Sequence, residues 1–109
     1  MPFHATVLYP NDPDTKFDLD YYLKTHMPLV ESAFKKHGLV KWEVLEYKPG
    51  PDGTPPKFVV GGTLVWDSPE QMGAAMSSED AKPVLGDIPN FCNKQPIFLG
   101  GPLVAKSSY

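Results

Sequence analysis

With 109 residues, 41% apolar and 21% charged, the chain is sized and composed as one globular domain spanning residues 1–109. A formal charge of −3, with no Lys/Arg run longer than two residues, argues against a nucleic acid or an anionic membrane as partner. No apolar stretch approaches the roughly 20 residues that span a bilayer. The start of the chain lacks a basic region followed by a long apolar segment, and the single cysteine, Cys92, excludes an internal disulfide, so a cytoplasmic setting is expected.

Phe3 to Tyr9 alternates as a strand, with Phe3, Ala5, Val7 and Tyr9 facing one way. A turn cluster over 10–14 leads into Phe17 to Gly38, whose apolar positions Leu19, Tyr22, Leu23, Val30, Ala33 and Phe34 fall at helical intervals, with His26 and His37 on the same stripe. Asp18 is placed to cap this helix, Phe17 and Tyr22 stand at the positions of a hydrophobic staple, and Gly38 is suited to end it. Pro28, near the middle, has no N–H for the carbonyl of Lys24, which predicts a kink or a broken turn.

Leu39 to Lys48 reads as a strand with Val40, Trp42 and Val44 on one side. Phe58 to Trp66 reads as its hairpin partner, with Gly61-Gly62 marking a bulge or a close approach. Ser68-Pro69-Glu70-Gln71 is a helix start. A shorter helical turn follows around 79–85, interrupted by Pro83, then an irregular stretch over 86–91. The last strand starts at Gln95 and extends as far as Val104. The order strand, helix, strand, strand, helix, strand predicts an α+β, ferredoxin-like β-α-β-β-α-β fold: a four-stranded antiparallel sheet with both helices on one face. Either face of the second and third strands carries large apolar residues. Two such sheets packed face to face as a homodimer would cover the face that the helices leave open.

The sequence implies no cofactor: it has neither a GxGxxG nor a Walker-type phosphate loop. Nor is a metal implied. His26 and His37 lie about 16 Å apart along a helix, at about 1.5 Å per residue, too far to share an ion. Asp12, Asp14, Asp18 and Asp20 read as turn and capping residues, and nothing places a base beside Cys92. What remains is an apolar pocket between the first helix and the sheet, with His26, Tyr9, Tyr22, Trp66 and Asn90 as its polar candidates. Such a pocket suits a small hydrophobic or phenolic molecule. Histidine takes and gives protons near neutrality, and a tyrosine hydroxyl orients a substrate oxygen. Proton transfer on a carbonyl or phenol is the chemistry that fits. A core histidine that only satisfies the freed Lys24 carbonyl fits the same pattern.

The segments VLYP at 7–10, FDLDYYLKTHMPLV at 17–30 and DIPNF at 87–91 together resemble the EthD family over nearly the whole chain. The resemblance implies a dimeric α+β barrel built from ferredoxin-like domains. The family is named for a component of bacterial ethyl tert-butyl ether breakdown that accompanies an oxidase system, and its members are described as oxidoreductases. On that resemblance His26 falls on the histidine of the HMP motif, Asp18, Tyr21, Tyr22 and Pro28 on the residues around it, and Asn90 on the asparagine of the D-I-P-N turn. Two functions follow: a pocket enzyme with His26 as acid/base, or a carrier that holds a small molecule for a partner oxidase.

Overall fold

Strand β1 (Phe3–Pro10) opens a computed structural model in which residues 2–109 are described. It lies in the interior of the sheet, between β3 (Phe58–Trp66) and β4 (Ile97–Pro102), with β2 (Leu39–Glu46) on the far side of β3. All three pairings are antiparallel. With helix α1 (residues 19–37) after β1, and α2 (Pro69–Met76) and α3 (Ala81–Gly86) after β3, this is the α+β ferredoxin-like fold expected from the element order. Phe3, Ala5, Val7 and Tyr9 pair with or border Trp66, Leu64, Gly62 and Val60, and this face packs with Val30, Phe34, Ala75, Ala81 and Val84 of the helices to form the core.

Helix α1 is held at both ends as the sequence suggests. Asp18 has extended backbone, and its Oδ1 accepts the N–H of Tyr21 at 3.0 Å. The rings of Phe17 and Tyr22 meet at 5.2 Å. Gly38 ends the helix at φ 97°, a conformation that suits a residue without a Cβ. The disturbance expected from Pro28 takes the form of a π turn over Tyr22–His26, in which the N–H of Met27 bonds the carbonyl of Tyr22. Pro28 thereby falls in the first turn of the next α segment, Met27–Phe34, where a missing N–H is tolerated. The wider turn carries both Tyr22 and His26.

Four sequence expectations change. The pairing of β2 with β3 slips between Leu39 and Lys41, so Val40 leaves the row of Trp42 and Val44 and stands exposed. Pro83 does not interrupt α3: it occupies the first turn, whose N–H groups lack intrahelical partners in any case. Residues Ile88–Asn90, expected to be irregular, form a 3₁₀ turn. The last strand starts at Ile97 rather than Gln95, runs through Gly100-Gly101 and stops at Pro102.

Gly61-Gly62 is a site of close approach, with no register shift in either pairing there. The Tyr22 hydroxyl of α1 lies over Gly62, and the Tyr47 hydroxyl lies 2.6 Å from where a Cβ on Gly61 would stand. A side chain at Gly62 would therefore meet a buried ring. Gly62→Ala is expected to destabilise the chain by about 1–3 kcal/mol in urea unfolding. Combined with Tyr22→Phe, which removes the obstructing oxygen, it should cost less than the sum of the two single changes.

Candidate functional site

The π turn of α1 points His26 into the core, where the residue is only 4% exposed. Its ring stacks on Tyr22 at 5.4 Å and lies 4.5 Å from the ring of Phe91. Asp87, just after α3, reaches it from the other side: His26 Nδ1 stands 2.9 Å from Asp87 Oδ2. The other carboxylate oxygen, Oδ1, accepts from the Tyr21 hydroxyl at 2.6 Å and from Asn90 Nδ2 at 2.9 Å. One carboxylate thus ties the first turns of α1 to the 3₁₀ turn that follows α3.

The charges follow from these contacts. Burial opposes the charge on Asp87, but hydrogen bonds from Tyr21, Asn90 and His26 outweigh it and hold the carboxyl below its usual range. Burial pushes the His26 imidazole below the free histidine value, and Asp87 offsets only part of that. Near neutrality the pair is therefore a neutral imidazole beside an ionised carboxylate. In that state Nδ1–H donates to Asp87, and Nε2 is the basic nitrogen.

His26 lines a small cavity of about 50 Å³ together with Tyr9, Tyr22, Phe34, Gly62 and Ile88. Beside it, between the sheet and α2, is a larger one of about 290 Å³ walled by Ala5, Trp66, Met72 and Leu99. Val7, Leu64, Met76 and Phe98 border both. These four shared walls make the two chambers neighbours in one candidate cleft. Burial first, and then Tyr22, raise the Tyr9 phenol. Burial also lifts Tyr22 to about 12, so both hydroxyls stay protonated. Among the described residues no group of three or more His, Cys, Asp and Glu side chains is placed to hold a metal ion, and no helix is long and apolar enough to cross a membrane.

No family model and no curated protein matches the chain. An EthD-like protein of Ralstonia eutropha superposes with a TM-score of 0.89 at 30% identity, over 98% of this chain and 96% of that one. The chain belongs to the EthD family. An ethyl tert-butyl ether D family protein of Bacillus halodurans is 23% identical, with a TM-score of 0.76 over 95% of this chain and all of that one (100%). A dimeric ferredoxin-like protein of a Jannaschia species shares the fold at 10% identity, with a TM-score of 0.66 over 94% of this chain and 98% of that one.

In this EthD chain the candidate residues read from sequence separate into three places. His26, Tyr9 and Tyr22 line the inner cavity, and Trp66 lines the outer one. Asn90 is exposed and stands behind the cleft, bonded to Asp87. His37, on the same predicted stripe as His26, bonds Asp80 Oδ2 at 3.0 Å, well away from the cleft. Asp87 itself escaped notice as a site residue, since an acid in an irregular stretch has no periodic signal. Its one sequence mark is its place at the head of the D-I-P-N turn.

Proposed function

We propose that this EthD-family chain binds a small hydrophobic or phenolic carbonyl compound in the cleft and moves a proton on it, with His26 as acid/base. The observation that carries this reading is the buried imidazole of His26, 2.9 Å from Asp87 Oδ2, on the wall of an apolar cavity. His26 Nε2 takes a proton from a carbon next to the substrate carbonyl, leaving an enolate and an imidazolium. Returning that proton to another position gives an isomer, so no oxidant is consumed. Asp87 stabilises the imidazolium, and the protonated phenols of Tyr9 and Tyr22 hydrogen bond the enolate oxygen. The experiment is solvent-deuterium exchange into beta-tetralone, a bicyclic ketone with an acidified benzylic C–H, followed by NMR. Binding without accelerated exchange would favour the carrier for a partner oxidase.

The same proposal includes a homodimer through the sheet face opposite the helices. Leu45 and Ile97 lie on that face and are exposed, and a dimeric relative shares the fold. Sedimentation at micromolar concentration should give twice the 12.1 kDa chain mass, and the combined Leu45→Glu and Ile97→Glu changes should shift it to monomer. A native monomer would contradict the dimer.

A further inference from the structure

The two chambers of the cleft differ in size and in chemistry. The inner one presents His26, Tyr9 and Tyr22 but encloses only about 50 Å³. A cavity of about 150 Å³ holds one benzene molecule, so the inner chamber has room for a carbonyl group and little more. The outer one encloses about 290 Å³, enough by the same measure for a pair of fused rings. Its walls carry no charged side chain and no hydroxyl among the described residues. The indole nitrogen of Trp66, itself buried, offers a ligand almost no accessible surface. Neither chamber therefore suffices alone: one has the polar groups without the space, the other the space without the polar groups. We infer that a single ligand occupies both, and that its class is a neutral fused-ring ketone, with the carbonyl in the inner chamber and the apolar rings in the outer one.

The inference rests on the proposed function and narrows its substrate class. The reverse orientation fails on both counts. It would strip water from the carbonyl without giving it a donor, and it would force rings into a space too small for one. The seated ligand crosses beside Met76, which walls both chambers and whose unbranched thioether adapts to irregular shapes. In this orientation the C–H groups flanking the carbonyl lie on the His26 side, as proton abstraction requires.

The test is isotope-filtered NMR of the chain with beta-tetralone, read as close contacts between ligand protons and protein side chains. The aromatic protons of the ligand are expected to contact the methyl groups of Ala5 and Met72, which line the outer chamber only. The CH₂ groups beside the carbonyl should contact the rings of Tyr22 and His26, and the Met76 methyl should meet both ends. Beta-tetralone should also bind about tenfold more tightly than cyclohexanone, which lacks the second ring. Ala5→Leu, which adds bulk to the outer chamber, should remove most of that advantage. Binding of neither ketone, equal affinity for the two, or aromatic protons that contact Tyr22 and His26 instead of Ala5 and Met72 overturns the inference. If Ala5→Leu does not fold, the contacts in the unsubstituted protein decide. Proton exchange is read on the same samples: a ketone seated as described that exchanges no faster than in buffer removes the acid/base role of His26 and leaves this inference standing.

Discussion

A His26→Gln variant is expected to exchange the benzylic protons of beta-tetralone about 10²–10⁴-fold more slowly than the unsubstituted chain, the usual share of general acid–base catalysis. Glutamine has an amide N–H to give to Asp87 and fills much of the same space, so cooperative unfolding should persist. What it lacks is a nitrogen that gains and loses a proton near neutrality. The pH dependence gives a second readout. The active form is the neutral imidazole, and burial holds the His26 value below that of free histidine, about 6.5. The exchange rate should therefore climb through the acid range and be level above about 6.5. An unsubstituted chain that binds the ketone but exchanges no faster than buffer would leave His26 without a catalytic part and favour the carrier. Equal exchange by the two chains would remove His26 from the reaction.

The fold was readable because its signals are local and repeated. Period-two alternation in 3–9, helical spacing from Leu19 to Phe34 and the Ser68–Gln71 cap each specify an element without reference to the others. Where the structure departs, the cause is an interaction between elements. The slip at Val40 depends on how β2 meets β3, and the position of Pro83 depends on where α3 begins. At the site, His26 was legible as an anomaly, a polar ring on an apolar stripe next to a proline. The sequence offers the freed Lys24 carbonyl as a partner, yet the observed partner is Asp87, 61 residues away. Such a long-range partner leaves no periodic trace in a single chain, and only the D-I-P-N turn hinted at it. Trp66 stands out in the sequence as a polar candidate, but the lack of a hydrogen-bond partner for its Nε1 among the described residues depends on packing that no sequence pattern encodes.

Asp87→Ala is expected to cost about 3 kcal/mol of stability, because it removes a charge-assisted hydrogen bond and strands a buried donor. Of the three donors that Asp87 satisfies, Asn90 is exposed and Tyr21 only partly buried, so both can turn to water. His26 has no such outlet. Most of the cost should therefore vanish when the same change is made in a His26→Phe background, a coupling that a double-mutant cycle in urea measures directly.

The pH dependence of stability has a definite sign. The folded chain holds His26 below its unfolded value of about 6.5, so between the two values the unfolded state binds more protons and stability rises with pH. The contribution is complete above about 6.5 and declines as the pH drops below it. Asp87 adds a second loss at stronger acid. Its carboxyl is held below the ordinary value of about 3.9, so its stabilisation is present above that value and disappears as the pH falls through the folded one. Without Asp87 nothing offsets the burial of His26, so the first decline should extend to lower pH in Asp87→Ala and the second should be absent. If the substituted and unsubstituted chains lose stability in parallel across both ranges, the carboxylate is not what holds the imidazole.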